Sequence, residues 1–177
     1  MKRHILTLVR LAVFLVFAVS FCIASTRSYA ADDSKLKELP LDKAVRVGMG
    51  KNTIIEFTDP DCPYCRKLDS YLKQRKDVTR YIFLFPLTQL HPKSEEKSKL
   101  VLCSKNPAGT LEEVMSGQYD KEMPKPCNDE KNVSLLKEFR EIGLKLGITA
   151  TPSLYVNGNF ISGANIQAIE QIIGPIK

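Results

Sequence analysis

The sequence has no uncharged apolar run long enough to cross a membrane: the longest, Leu11 to Ala24, is fourteen residues, short of the roughly 20 that a spanning helix needs. Nor does it have an internal repeat or a low-complexity tract, which removes repeat architectures from consideration. With 44% hydrophobic and 26% charged residues it has the composition of an ordinary globular chain, not a disordered tail or a polytopic membrane protein. Its 177 residues fit one domain and exclude a large multidomain enzyme. Cysteines are few, five in all, so the chain is no small disulfide-stapled scaffold. It is long enough to bury a sizeable core without staples.

Acidic residues are missing altogether from positions 1–30, where Lys2, Arg3, His4 and Arg10 precede the apolar run and small residues close it at Ser28-Tyr29-Ala30. That order reads as a secretory signal peptide over residues 1–30, cleaved after Ala30. Cys22 leaves with it, and bulky Phe21 stands where a lipoprotein signal carries a small residue. Removing the leader takes away four basic residues and no acid, so 22 basic face 20 acidic residues and the net charge falls from +6 to +2. No surplus of one sign remains to argue for nucleic acid, and stable membrane insertion after cleavage is not expected. The remaining basic clusters, Arg66-Lys67 and Lys73-Gln74-Arg75-Lys76, read as solvated helix faces.

Residues 31–50 are polar and read as an N-terminal arm; residues 51–177 read as the domain. Thr53 to Thr58 is β-branched and aromatic, a strand. Asp59-Pro-Asp-Cys-Pro-Tyr-Cys65 follows, and then Leu68, Tyr71, Leu72 and Arg75 recur at helical spacing. Arg80 to Phe85 is a near-continuous apolar run that suits a buried parallel strand, giving a βαβ unit. Between about residues 92 and 147 the pattern becomes helical, with candidate helices over Ser94–Ser104, Thr110–Met115 and Val133–Leu146. Ser153–Val156 and Asn159–Ser162 flank Asn157-Gly158, a hairpin signal, and Ala164–Ile173 closes the chain as an amphipathic helix. The class is α/β.

After the leader four cysteines remain, Cys62, Cys65, Cys103 and Cys127, an even number in an exported chain, which points to disulfide chemistry. Two cysteines three positions apart at a helix start lie near the unpaired N–H groups of the first turn. These favour a thiolate at the N-terminal sulfur, so Cys62 is the candidate nucleophile and Cys65, one turn deeper, the resolving thiol. Pro63 suits the first turn, having no N–H to lose. A four-cysteine zinc site is disfavoured because Cys103 and Cys127 form no second short knuckle, and no metal or other cofactor is expected. A purely structural Cys62–Cys65 bond is disfavoured because so short a loop constrains little of the unfolded chain.

Phe57-Thr-Asp-Pro-Asp-Cys-Pro-Tyr-Cys-Arg-Lys-Leu68, Phe85-Pro86, the Cys103 and Cys127 pair, Leu146-Gly-Ile-Thr-Ala-Thr-Pro152 and Val156-Asn-Gly158 together resemble the catalytic domain of the periplasmic disulfide isomerases of the DsbC/DsbG family. The resemblance implies a thioredoxin fold, a central mixed sheet flanked by helices, with the helical insertion between the βαβ unit and a C-terminal ββα unit. It implies that Cys62 attacks and Cys65 resolves, that Pro63 and Tyr64 tune and flank the pair, and that Thr151-Pro152 is a cis-proline element binding an extended substrate strand. It makes Cys103 and Cys127 a structural disulfide, closing a loop worth roughly 3–4 kcal/mol on the chain-entropy model, with a second redox centre as the alternative.

Glu56, six positions before Cys62, stands where thioredoxin-like proteins often carry a buried acid. It either exchanges a proton with Cys65 or reaches solvent from the strand. His91 reads as a polar loop residue. The implied activity is a disulfide reductase or isomerase in the periplasm, with cysteine-containing proteins as substrates and a membrane thiol reductant of the DsbD type as partner. A DsbA-type oxidant and a non-catalytic holdase are the alternatives. The stretch before the first strand is too short for the family's dimerisation domain, so a monomer is expected.

Overall fold

A computed structural model describes residues 33–127 and 129–176; the leader and its cleavage site lie outside the described residues. Helix α1 (Asp33–Lys37) leads to strand β1 (Val45–Val47), then β2 (Asn52–Thr58), helix α2 (Pro63–Leu72) and β3 (Val78–Leu84). Three helices follow, α3 (Ser94–Cys103), α4 (Pro107–Met115) and α5 (Glu130–Lys145), and the chain ends with β4 (Ser153–Val156), β5 (Asn159–Ser162) and α6 (Ile166–Ile173).

The five strands form one sheet in the order β1-β3-β2-β4-β5. β2 and β3 are parallel, joined by α2, while β1, β4 and β5 run antiparallel to their neighbours. This is the predicted βαβ unit and ββα unit, with the helical insertion between them. The hairpin matches the sequence reading residue for residue, because Asn157 and Gly158 both hold positive φ, 46° and 86°, as a two-residue turn between twisted strands requires. Residues 31–50, read as an arm, also contribute a strand to the sheet. Val45–Val47 pairs with Arg80–Ile82 as an edge strand, since two valines two positions apart turn their side chains to one face once a partner strand is present.

The period of β2 sorts its side chains. Ile55 and Phe57 join a cluster with Phe83, Val101, Val114 and Phe139, so the insertion helices cover this side. Ile54 joins Leu68, Leu72 and Ile169, so α2 and α6 cover the other. Phe57 stacks on Phe83 at 5.2 Å, and Phe83 meets Phe139 edge-on at 5.0 Å. The second cluster supports α2 from below and fixes its N-terminus above the C-terminal end of β2.

The solvated-face reading of the basic clusters needs correction. Arg75 is buried: its guanidinium pairs with Asp77 at 2.7 Å and donates to the carbonyls of Gly174 at 2.7 Å and Ile173. It ties α2 to the end of α6, using donors that would otherwise face water. Among the described residues no helix is long and apolar enough to cross a membrane.

Candidate active site

The chain turns from β2 into α2 through Asp59-Pro60-Asp61, and Asp59 holds this turn. Its carboxylate is fully buried and accepts from the Asp61 N–H at 2.8 Å and the Leu87 N–H at 2.6 Å, with His91 Nδ1 at 3.0 Å. The Cys62 N–H donates to the Asp59 carbonyl at 3.1 Å. Asp59 therefore joins the turn to the loop after β3. His91 lies on that loop, as expected, with its ring against this carboxylate.

Cys62 is the N-cap of α2, with φ −71° and ψ 121°, and Pro63 begins the helix. No side chain caps the first turn, so its N–H groups are free to face the sulfur. No disulfide joins Cys62 and Cys65 in this structure. Cys62 retains 5% exposure and Cys65 none, so only the former is placed to meet another molecule. A hydrogen bond from the Cys65 side chain is the main cause that lowers the Cys62 pKa, from 9.0 to about 5. Burial opposes it; the Cys65 N–H, the Thr151 side chain and the Tyr64 N–H add to it. For Cys65 burial dominates, and proximity to Cys62 adds to it, pushing that thiol well above its ordinary value.

The two sulfurs thus divide the work: an anion outside, a neutral thiol within. The expected consequence is an alkylation rate for Cys62 that reaches half its maximum near pH 5 and is flat by neutral pH, measured with iodoacetamide on the reduced protein. A rate still rising steeply at about pH 8, as for an ordinary thiol, would contradict it. The linked stability has a definite sign. A thiol with a depressed folded pKa stabilises the reduced fold above its unfolded value, and that contribution is lost as pH falls from about 9 through about 5. Cys65, its folded pKa raised, stays neutral in the folded state throughout that window and works against folding only as pH approaches about 9, where the unfolded thiol ionises.

Opposite the dithiol, the Thr151-Pro152 bond is cis. The Cys62 thiol, when protonated, donates to the Thr151 carbonyl at 3.5 Å. Tyr64, Lys67, Thr151, Pro152 and Gly163 line an open hollow of about 410 Å³, and Tyr64 projects into solvent with 66% exposure. The structure therefore brings together Cys62, Cys65, Pro63, Tyr64, Thr151 and Pro152. Cys103 and Cys127 form a disulfide between α3 and the segment before α5, Cα atoms 6.0 Å apart, with the Asn132 amide donating to both sulfurs.

Glu56 is fully buried, which excludes the solvent-reaching reading. Its Oε2 accepts from Arg80 at 2.8 and 3.2 Å, and Arg80 also donates to Asp69 of α2 at 2.8 Å. Oε1 has no partner. Among the described residues no hydrogen bond joins Glu56 to Cys65. The Thr58 side chain, two positions on along the same face, lowers the pKa of that thiol, while its hydroxyl, like Glu56 Oε1, is buried without a hydrogen-bond partner.

Arg66 also departs from the solvated-face reading. Its guanidinium pairs with Asp120 and Asp61, and its Nε donates to the Pro60 carbonyl. The sequence reading missed Asp59, Asp61, Lys97 and Asp120; the only local signal was the density of acid before Cys62. Among the described residues no cluster of His, Cys, Asp and Glu could hold a metal.

Residues 39–173 match the model of the thioredoxin-like domain family. The chain is 37% identical over 124 residues to the Probable thiol:disulfide interchange protein DsbC of Bordetella avium strain 197N, covering 69% of this chain and 42% of that protein. It is 27% identical to the thiol:disulfide interchange protein DsbC of Haemophilus influenzae, covering 64% of this chain and 48% of that protein. It thus spans less than half the length of these curated relatives. The crystal structure of a disulfide interchange protein from Neisseria gonorrhoeae superposes with a TM-score of 0.65 at 29% identity, over 76% of this chain and 96% of that one. By its sheet order, its Cys-Pro-Tyr-Cys helix start and the span of that match, the chain belongs to the thioredoxin-like domain family.

Proposed function

We propose that this chain is an exported thiol:disulfide oxidoreductase that reduces or isomerises disulfides of periplasmic proteins. The observation that carries the reading is the asymmetry of the dithiol: a sulfur held as thiolate at the helix start, above a buried neutral thiol, beside the Thr151-Pro152 loop. The Cys62 thiolate attacks one sulfur of a substrate disulfide; that bond breaks, the other substrate sulfur leaves as thiolate, and a mixed disulfide forms. In isomerisation a substrate thiolate attacks back and releases Cys62 with the substrate's bonds rearranged. In reduction Cys65 loses its proton and attacks Cys62 Sγ, so the substrate gains two electrons and the dithiol closes.

Glu56 Oε1, buried and without a hydrogen-bond partner, is the base we assign to that proton. The Thr151 backbone, Pro152, Pro63 and Tyr64 flank an extended substrate segment. Cys103–Cys127 is a staple of the insertion. In this reading the electron donor is a membrane thiol reductant of the DsbD type, the location is the periplasm and the working unit is a monomer.

The low Cys62 pKa favours one competing reading, a DsbA-type oxidant, since stabilising the thiolate stabilises the reduced form. The two are separated by presenting the reduced protein with ribonuclease carrying scrambled disulfides, and the oxidised protein with fully reduced ribonuclease. Faster recovery of ribonuclease activity in the first assay supports the proposal. Rapid disulfide formation in the second with none in the first replaces it by the oxidant.

A further inference from the structure

Four charged side chains meet at Asp61, the residue that precedes Cys62. Asp61 precedes Cys62 in the chain, and its Oδ1 accepts from Lys97 at 2.5 Å and from Arg66 at 3.0 Å. Asp120, between α4 and α5, accepts from the same two cations: from Arg66 at 2.7 Å through both terminal nitrogens, and from Lys97 at 2.5 Å. Lys97, on α3, has a side chain only 2% exposed. An ammonium that deep costs free energy unless it is paired, and here both its partners are carboxylates. Two acids balance two cations. Asp61 and Arg66 belong to the dithiol turn and α2, whereas Lys97 and Asp120 belong to the helical insertion, so the cluster connects the insertion to the residue next to the nucleophile.

We propose that this cluster sets the reactivity of Cys62, with Lys97 as a positioning residue: Lys97 and Arg66 neutralise Asp61, whose carboxylate would otherwise stand uncompensated one residue from the attacking sulfur. None of the four hydrogen-bonds either sulfur, so none is catalytic. While the cluster is intact its charges cancel at Cys62. Removing one member uncovers a charge whose sign is known. The other titratable and charged groups near the Cys62 turn are the Cys65 thiol, Asp59 with its partner His91, and Lys67 on the rim of the hollow beside Tyr64 and Thr151; none of them is altered by substitutions in the cluster. The idea deepens the reading above and rests on it for the meaning of Cys62 reactivity. Its test reads the thiolate itself, so failure of the ribonuclease assays would leave the test intact.

The experiment is a titration of thiolate absorbance near 240 nm on the reduced full chain. Lys97→Met strands Asp61 and should raise the Cys62 midpoint by roughly one pH unit, whereas Asp61→Asn leaves a net positive cluster and should lower it. Lys97→Arg should restore the parent value. A brace with no electrostatic role would move both midpoints the same way, or neither while melting temperature falls, and either result overturns the proposal. Should Lys97→Met not fold, Asp61→Asn and Asp120→Asn carry the sign alone: both must move the midpoint down, the former more. An upward shift or none overturns it.

Discussion

Replacing Cys62 with Ser is expected to lower disulfide exchange by about 10³-fold or more, because the hydroxyl is no thiolate at neutral pH and no other described thiol is placed to substitute. Cys65 cannot take over: it has no exposed surface, and burial keeps it protonated. The reciprocal change behaves differently. Cys65→Ser leaves the nucleophile and its helix start in place but removes the sulfur that attacks Cys62, so a mixed disulfide with substrate should accumulate. The Ser hydroxyl retains a hydrogen bond to the Cys62 sulfur, so the thiolate should persist, at a pKa higher than the parent's. Non-reducing gels of protein mixed with a disulfide substrate distinguish the pair: a covalent adduct with Cys65→Ser and none with Cys62→Ser. An adduct with Cys62→Ser, or full exchange without Cys62, would overturn the assignment of Cys62 as the nucleophile.

The second large effect is on stability. Arg80 lies between β2 and α2 with its side chain 3% exposed, neutralising Glu56 and Asp69, themselves 0% and 4% exposed. Arg80→Met leaves two carboxylates buried without it, one of them aided only by half-buried Lys73 at 3.4 Å. Breaking such a network costs about 3–5 kcal/mol, a large part of the stability of a domain this size. Adding Glu56→Gln to Arg80→Met should return part of that loss, since one of the two stranded charges is gone. Urea unfolding of the two variants measures both quantities. An Arg80→Met variant within about 1 kcal/mol of the parent would mean that water reaches the network.

Local chemistry and long-range chemistry were unequally legible in the sequence. The hairpin could be placed to the residue because Asn157-Gly158 determines its own turn. The dithiol could be ordered because Cys62 and Cys65 share one helix start. Helix α4 begins at Pro107, three residues before the expected Thr110, with the Asn106 side chain accepting from the Gly109 N–H; the apolar period alone does not register such a start. β1 escaped because three residues carry too little alternation, and its pairing depends on β3, some 35 positions away.

The charged residues show the limit most clearly. Arg66 reads as surface until Asp120, 54 positions on, reaches it; Lys97 goes unmarked in the sequence, because its partner Asp61 lies 36 positions back. Glu56 stood between two readings until burial decided it, yet its partner proved to be Arg80, 24 positions away. In each case the side chain is ordinary and the partner lies in another element, so no local pattern records the pair.

The most direct test of the account is to trap thiols in living cells with an alkylating reagent and determine the state of each cysteine separately. The account predicts Cys62 and Cys65 mostly free and Cys103 and Cys127 closed, as an isomerase or reductase supplied with electrons requires. Cys62 and Cys65 found mostly joined to each other in the cell would contradict it and assign the dithiol to an oxidant.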